Sequence, residues 1–516
     1  MGEGRVSLAK MLPYSSPLPA DPRRRGPARL LRVAGYVVVI GAILTGIIQY
    51  QYRVVRNLRR AEAFDANYGH LSPQEQAAQG LKRPKDRAGA IARWRRATHD
   101  FWAGKDIYRR PPGFDDPNVP WPDPNDPQRP WLHPNMPFTV ILLTPLAHLS
   151  KPTMGVVLNA LKLLVLAASV LMAARVVNHR DRRMGDWVVL LAMLYVLLPV
   201  IGDIRHGNTN TFVLGAVVLH LWLFRRGRDV AAGAALALAI CLKMTPALFV
   251  LYWLYQRNWR LLAGTVAALV LFVVVVPAAA VGPTHYAALM DSWLNNLIFR
   301  GLKGAWYPIH INQSLQAVAG RYFLDGPGGN IFWNPDDNPY WKQDKFQWIT
   351  LAALSPQTVR WIIRGCQVAI VGLVAWAIGW RRLRRDDGRR ALHYGLIAAA
   401  ILILNQRTWD HHGVVLMIAH LAAWYAIAYG RLGRRARLAA LVLMVVAGPL
   451  LVVPGAAGAA ARLAGGSSAA AEAWVNVAEA YGPRFGHFAA VLAALLVACL
   501  ALRRADDPYA SERQRL

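Results

Sequence analysis

A single lysine interrupts a long apolar stretch in the middle of the chain. Lys243 lies in the run Leu242-Lys243-Met244-Thr245-Pro246, with apolar segments on both sides. A charge at such a depth is expensive, so a lysine there either extends its ammonium to the membrane interface or serves a ligand. A fixed ammonium suits a phosphate group. Lys243 is therefore a candidate phosphate-binding residue.

Short polar segments that interrupt or border apolar runs are called polar islands, and the segment around Lys243 is the first. A second polar island combines histidine with asparagine. Residues 202–210 read GDIRHGNTN, between two apolar runs. A tight turn requires only glycine and asparagine, and that is the simplest interpretation of the segment. An arginine and a histidine beside an aspartate offer more than a turn needs. We therefore take His206, Asn208 and Asn210 as candidate substrate-binding residues.

A third island ends in two adjacent histidines. Residues 405–412 read NQRTWDHH and connect two apolar runs. Side chains at positions i and i+1 of a helix diverge, so His411 and His412 make a poor two-histidine metal site. Hydrogen bonding or acid–base work by one of them is the better interpretation, with Asp410 as a substrate-binding candidate. No P-loop, dinucleotide fingerprint or metal-ligand spacing occurs, and we predict no cofactor and no metal.

Two more islands lie in long polar segments. Residues 99–108 read HDFWAGKDIY, and residues 310–315 read HINQSL. Acidic residues in loops are usually only solvated, but in an outward-facing cavity a carboxylate is a suitable general base for an attacking hydroxyl. Charge that develops on a leaving phosphate would need Lys or Arg nearby. The candidates from these segments are Asp100, Asp106, Tyr108, Asn312, Gln313 and Ser314.

The elements that must position these islands are apolar helices. Hydrophobic residues make up 55% of the 516 residues; the run 31–50 has Arg32 as its one charged residue, and the run 261–281 has none. Runs of about 20 apolar residues cross a bilayer as helices. We predict an all-α integral membrane protein in which two segments meet in a turn near Lys243. About twelve spans are expected, near 31–50, 154–176, 186–202, 210–224, 230–243, 245–256, 261–281, 357–380, 391–405, 412–430, 438–455 and 486–502.

The charges predict how the chain is threaded. Lys and Arg number 59 against 29 Asp and Glu, a formal net charge of +30. The arginines cluster in alternate short loops, which is typical of cytoplasmic loops and argues against a nucleic-acid partner. We expect a cytoplasmic N-terminus (1–30), a membrane domain (31–502) and a cytoplasmic tail (503–516). Outward-facing loops are expected at 51–153 and 282–356, and the Ala/Gly/Ser-rich stretch 456–484 is interpreted as a spacer.

Composition narrows the function classes further. Three cysteines are too few for a disulfide scaffold, and the apolar content is too high for a disordered chain. The second outward loop is rich in tryptophan and tyrosine among Asn, Asp and Gly. These rings are consistent with interfacial anchoring, and equally with a surface that stacks sugar rings or holds a lipid carrier.

The order of the islands resembles glycosyltransferase family 87. The shared elements are Gly104-x-Asp106-Ile107-Tyr108, Pro134-Asn135-Met136-Pro137 before LLTPLAHL, Gly207-Asn208-x-Asn210, Lys243-x-Thr245-Pro246, Asn312-Gln313-Ser314-Leu315 and Trp409-Asp410-His411-His412. Each element alone is weak, but six in this order are fairly specific and cover about residues 100–430. The resemblance implies a GT-C fold and polyprenyl-phosphate-dependent, inverting sugar transfer, with mannose favoured.

The resemblance also implies roles for individual residues. Lys243 would lie near the phosphate of a polyprenyl-phosphate sugar donor, Asn312, Gln313 and Ser314 would line the active cavity, and His411 or His412 would be catalytic or would orient the donor. The acceptor would be a lipid or glycan at the outer face of a bacterial plasma membrane. Members usually carry an acidic residue about a dozen positions before Gly104, where this chain reads AGAIARWRRA.

The position of the general base is therefore open between two residues. Asp86 lies further upstream than the family pattern, and Asp100 lies closer to Gly104. Asp106 suits a cap or turn. The alternatives to a transferase are a transporter or lipid-linked sugar flippase, which would place ionisable groups near the midplane of two repeated halves, and an inactive relative. Only Lys243 fits the midplane pattern, so a hexosyltransferase is favoured.

Overall fold

The computed structural model describes residues 27–81, 84, 89–109, 133–179, 182–299, 309–324, 349–505 and 508–509. Within these residues every extended regular element is a helix. The predicted all-α membrane protein is confirmed. The first thirteen α-helices are α1 Pro27–Tyr68, α2 Pro73–Ala78, α3 Ala90–Trp102, α4 Pro137–Ala147, α5 Lys151–Val177, α6 Asp186–His206, α7 Asn210–Arg225, α8 Asp229–Leu242, α9 Leu248–Tyr255, α10 Trp259–Leu269, α11 Val276–Val281, α12 Pro283–Trp293 and α13 Leu315–Phe323.

The C-terminal part adds α14 Pro356–Ile378, α15 Arg389–Leu404, α16 Met417–Tyr429, α17 Arg434–Leu463, α18 Ser468–Ala480 and α19 Pro483–Leu502. Two 3-10 segments, Thr245–Ala247 and Asp410–Leu416, lie between α-helices. A π-helical segment, Val270–Val275, joins α10 to α11.

Eight of the described helices are long and apolar enough to cross a bilayer: Arg29–Tyr68, Lys151–Val177, Asp186–His206, Trp259–Val281, Pro356–Ile378, Asp410–Tyr429, Arg434–Leu463 and Ser468–Leu502. Each predicted span falls on a helix. Four of them fall on shorter helices, which are α7, α8, Thr245–Tyr255 and α15.

The chain turns at Lys243, as the sequence predicts. Helix α8 ends at Leu242, and Lys243 has an extended backbone with φ −162° and ψ 130°. Pro246 follows within the 3-10 segment Thr245–Ala247. Proline lacks an amide hydrogen and disfavours helix in the residue before it, which favours a break of the helix here.

The interpretation of 456–484 as a spacer is wrong. Helix α17 runs on to Leu463, and α18 occupies Ser468–Ala480. Alanine is the strongest helix former, so the alanine-rich parts are helical despite their loop-like composition. The break is confined to the few residues before α18, where the Ser467 hydroxyl accepts a hydrogen bond from the Ala470 amide.

The outward loop predicted at 51–153 is also partly helical. Helix α1 continues to Tyr68, and α3 and α4 lie within the same segment. Helix α4 begins at Pro137, a residue that suits the first turn of a helix because no intrahelical donor is lost there.

The arginine-rich turns meet at one end of the bundle, called the basic end. It comprises residues 178–179, 182–185, 226–228, 256–258, 379–388, 430–433 and 503–505. Hydrogen bonds join its turns from Arg225 to Asn178, from Leu383 to Gln256 and from Arg389 to Arg503. The alternation of basic and non-basic turns therefore corresponds to the two ends of the fold.

Candidate functional site

The polar islands gather at the opposite end of the bundle, called the polar end. It comprises residues 203–210, 243–245, 309–314 and 405–412. At its centre the Lys243 ammonium donates a hydrogen bond to the Asn210 side-chain oxygen at 2.9 Å. The Asn210 amide donates in turn to Asp203 Oδ1, also at 2.9 Å. The last turn of α6 and the first turn of α7 thus hold Lys243 at the end of α8.

Asp203 is neutralised by a lysine from another helix. Lys162 of α5 lies 3.1 Å from Asp203 Oδ2, and these side chains are 2% and 0% exposed. The ammonium also donates to the Asp203 carbonyl at 2.8 Å, and the Thr211 hydroxyl donates to the carboxylate at 2.8 Å. Such a buried pair is tolerated when hydrogen bonds satisfy the remaining oxygens. Lys162 is thus the described ion-pair partner of Asp203, and Lys243 joins the same network through Asn210.

Two histidines from different islands lie together beside this network. The rings of His206 and His411 have centroids 4.8 Å apart, and the Asn208 side-chain nitrogen lies 2.9 Å from His411 Nε2. Helix α6 ends in Gly207 with φ 62°, a conformation that glycine adopts without strain. The last turn of α6 also packs directly on this segment, since a Cβ at Gly202 would lie in ordinary van der Waals contact, 3.4 Å from Asp410 Oδ2.

The His412 ring packs edge-on against the His411 ring, with centroids 4.8 Å apart. The two rings are nearly perpendicular at 87°, and the His412 ring lies parallel to that of Trp409. His412 Nδ1 accepts a hydrogen bond from the Trp409 amide at 3.2 Å. The described residues contain no group of three or more His, Cys, Asp or Glu that could hold a metal ion.

Asp410 forms an ion pair with an arginine that the sequence analysis missed. Arg484 Nε of α19 lies 2.9 Å from Asp410 Oδ1, and Arg484 Nη1 lies 2.5 Å from Glu479 Oε1. Glu479 belongs to the stretch interpreted as a spacer. The side chain of Gln313 donates to the Glu479 carbonyl at 2.8 Å, so this network also reaches residues 309–314.

Asn312, Gln313 and Ser314 brace the segment that leads to the histidines. Asn312 Oδ1 accepts from the Thr408 amide at 3.0 Å, and the Gln313 amide donates to the Thr408 carbonyl at 2.7 Å. The Ser314 hydroxyl donates to the Gln406 carbonyl at 3.0 Å. All three side chains are fully buried. Their described bonds therefore fix the shape of the polar end, and a cavity-lining role stays a prediction.

The segment before α3 contacts the polar end at Gly89. Gly89 has φ 61°, and a Cβ there would lie 2.7 Å from the His206 carbonyl oxygen, so only glycine fits the start of α3 against α6. Asp86 lies outside the described residues. Asp100, later in α3, contacts Arg96 at 3.6 Å and Lys105 at 3.2 Å. The described contacts of Asp100 are thus with cations of its own segment.

Asp106 and Tyr108 link the loop to the turn at Lys243. Asp106 accepts hydrogen bonds from the Tyr108 amide at 2.8 Å and from the Ser292 hydroxyl at 2.6 Å, which suits the expected turn role. The Tyr108 hydroxyl donates to the Asn135 carbonyl at 2.7 Å, and Asn135 donates to the Leu242 carbonyl at 3.1 Å. Burial raises the pKa of Tyr108 well above its usual value. The phenol therefore stays protonated and available as a donor.

Most of these residues lie in a region that matches a known protein family. The family described as glycosyltransferase family 87 matches residues 131–405, which are 275 of the 516 residues. The chain belongs to glycosyltransferase family 87. No significant match was found among curated proteins or among solved structures.

The family 87 match contains most of the polar end. Lys162, Asp203, Lys243 and Asn312 lie inside the matched range, whereas the Asp410–Arg484 pair lies beyond it. The chain is thus a membrane glycosyltransferase whose polar residues converge at one end of the helical bundle. A lysine inside an apolar run was the available signal for Lys162, since intramembrane charges are rare and usually paired. Arg484 gave no comparable signal.

Proposed function

We propose that this chain transfers a sugar from a polyprenyl phosphate, not from a nucleotide, to a lipid or glycan acceptor at the outer face of the plasma membrane. The favoured sugar is mannose, transferred with inversion. The observation that carries the proposal is Lys243, whose ammonium is held at the polar end by Asn210. A membrane-level ammonium beside histidines suits a lipid-linked phosphate better than a soluble nucleotide.

The charge balance of the polar end favours an anionic ligand. Lys162 pairs with Asp203, and Arg484 pairs with Asp410 and Glu479. Among the described residues Lys243 forms no ion pair with a carboxylate. At an effective dielectric constant of about 20, unit charges about 4 Å apart attract by about 4 kcal/mol. A donor phosphate next to Lys243 would supply the missing partner.

In the proposed reaction, an aspartate of the first loop removes the proton from an acceptor hydroxyl. The hydroxyl oxygen attacks the anomeric carbon, the bond from that carbon to the phosphate oxygen breaks, and the electron pair leaves with the polyprenyl phosphate. Lys243 stabilises the charge that develops on the departing phosphate. His206 and His411 lie where they can hydrogen-bond the donor.

The base is proposed to be Asp86 or Asp100. Asp86 precedes Gly89 by three residues, and Gly89 packs against the His206 carbonyl. Asp100 would have to act despite its contacts with Arg96 and Lys105. With the basic end in the cytoplasm, both termini would be cytoplasmic and the polar end would face outward.

The test is a donor panel with the full-length protein in membranes. Radiolabelled polyprenyl-phosphate-mannose, other polyprenyl-phosphate sugars and nucleotide sugars are supplied in turn, together with endogenous acceptors. The proposal expects transfer from polyprenyl-phosphate-mannose and none from nucleotide sugars. Asp86→Asn and Asp100→Asn variants then identify the base, because only one should abolish transfer. Sugar-lipid movement across vesicles without transfer, or no donor consumption across the panel, would refute the proposal in favour of a flippase or an inactive relative.

A further inference from the structure

A cavity of about 350 Å³ lies at the basic end, far along the bundle from the polar end. It is formed where α14 ends, where α15 begins and where α19 ends. Four arginines contribute to its wall: Arg381, Arg389, Arg503 and Arg504. The rest of the wall includes Ala377, Ile378, Trp380 and Leu383, so the cavity lining combines cationic and apolar side chains.

Among the residues that the structure describes, Arg389 is the one arginine of the four that is balanced by a carboxylate. Arg389 is 4% exposed, lies 2.6 Å from Asp387 Oδ2 and donates to the Arg503 carbonyl at 3.1 Å, so it braces the wall. Asp386, the neighbouring acid, lies 3.6 Å from Arg384. Within the part of the chain that the structure describes, Arg381, Arg503 and Arg504 form no ion pair. Three guanidinium groups therefore border the cavity without a described counter-charge.

The backbone allows one of these arginines to cover the end of α14. Gly379 has φ 68°, and a Cβ there would lie 2.7 Å from Arg503 Nε. Any larger residue would be strained and would displace the Arg503 side chain. Glycine at this position thus lets the Arg503 guanidinium, a group in the cavity wall, pack against the end of α14.

The apolar part of the cavity lining continues onto the exposed face of α14. Trp376 is 56% exposed and Val368 is 72% exposed on α14, a helix apolar enough to cross a membrane, and Trp380, two residues after its end, is 87% exposed. Tryptophan at a helix end is typical of the membrane interface. A ligand that enters from the membrane would meet hydrocarbon along α14 and arginine at its end.

We propose that this cavity binds an anionic glycerophospholipid, with its phosphate against Arg381, Arg503 and Arg504 and an acyl chain along α14. Guanidinium groups bind phosphate oxygens in pairs of hydrogen bonds, and basic pockets between transmembrane helices recognise anionic headgroups. The occupant carries both a phosphate and hydrocarbon, which a soluble phosphate compound lacks. The site is independent of sugar transfer at the polar end.

The test measures lipid binding to the purified full-length protein by native mass spectrometry. The probes are dioleoylphosphatidylglycerol, dioleoylphosphatidylcholine and inorganic phosphate. Phosphatidylglycerol should bind the wild type, and the triple variant Arg381→Gln/Arg503→Gln/Arg504→Gln should lose at least about tenfold in apparent affinity. The matched control, Arg260→Gln/Arg434→Gln/Arg435→Gln, removes the same charge from exposed residues near the same end and should bind normally.

Further arms keep the proposal falsifiable. If the triple Gln variant does not fold, the single variants Gly379→Ala and Arg504→Gln replace it, and each should weaken binding. Phosphatidylglycerol with brominated acyl chains should quench tryptophan fluorescence less in Trp380→Phe than in the wild type. Equal loss in the cavity and control variants would refute the site, as would equal binding of phosphatidylcholine. Displacement of the lipid by millimolar inorganic phosphate would show that the apolar part of the lining contributes nothing, and would overturn the lipid assignment.

Discussion

The buried pair of Lys162 and Asp203 should be one of the most strongly coupled pairs in the protein. Its side chains are 2% and 0% exposed at a separation of 3.1 Å. Removal of one partner leaves the other charge buried and uncompensated, which costs about 3–5 kcal/mol. We therefore expect Lys162→Met and Asp203→Ala each to lower the free energy of unfolding by about that amount.

The double variant separates this explanation from simple loss of packing. Once both charges are gone, no uncompensated charge remains, so Lys162→Met/Asp203→Ala should cost less than the sum of the single variants by about 2–3 kcal/mol. Thermal midpoints of the detergent-solubilised protein, followed by size-exclusion chromatography, rank the four proteins. The double variant should melt above the temperature expected if the two single effects simply added.

A second pair in the same chain provides a matched control. Lys105 and Asp100 are separated by 3.2 Å, but their side chains are 64% and 29% exposed. Solvent weakens such pairs to about 0–1 kcal/mol. The cycle of Lys105→Met and Asp100→Ala should therefore show little coupling. Equal coupling in the two cycles, or additivity in the Lys162–Asp203 cycle, would refute the reasoning.

Three further predictions concern residues around the site. Arg484→Gln leaves Asp410 and Glu479 without their shared cation, so sugar transfer should fall at least about tenfold, whereas the exposed-arginine variant Arg435→Gln should keep full activity. Tyr108→Phe removes the hydrogen bond to the Asn135 carbonyl and should lower the free energy of unfolding by about 1 kcal/mol; the exposed Tyr481→Phe, measured by the same thermal assay, should not. Burial and the nearby Arg93 lower the pKa of His133 to about 3. Because its unfolded pKa is near 6.5, the unfolded state binds the proton first, and stability falls as the pH drops below that value. Between pH 7 and pH 5 the wild type should lose about 2 kcal/mol more than His133→Phe; identical pH slopes would contradict the burial of this ring.

The fold was predictable where local chemistry decides the structure. Apolar runs of helical length fall on helices, and Pro246 ends the helix before Lys243 for reasons visible in five residues. The alternation of basic turns also placed the polar islands at one end. These features depend on short segments and on the fact that successive spans run in opposite directions, so that their connecting turns alternate between the two ends.

The bonding within the site was not predictable from short segments. Lys162 meets Asp203 across 41 positions, and Arg484 meets Asp410 across a stretch interpreted as a spacer. Composition was misleading in that stretch because alanine, glycine and serine together resemble a linker, while alanine alone favours helix. Which charges form pairs, the observation on which the proposed role of Lys243 rests, is determined by the packing of helices.

The most direct test of the central claim is the rate of mannose transfer from polyprenyl-phosphate-mannose by Lys243→Ala. If Lys243 stabilises the departing phosphate, kcat/KM should fall about 10²–10³-fold, while Lys243→Arg keeps part of the activity and Arg260→Ala, at the basic end, keeps all of it. Protein amounts and thermal midpoints should match the wild type. A folded Lys243→Ala protein that transfers mannose at the wild-type rate would contradict the account.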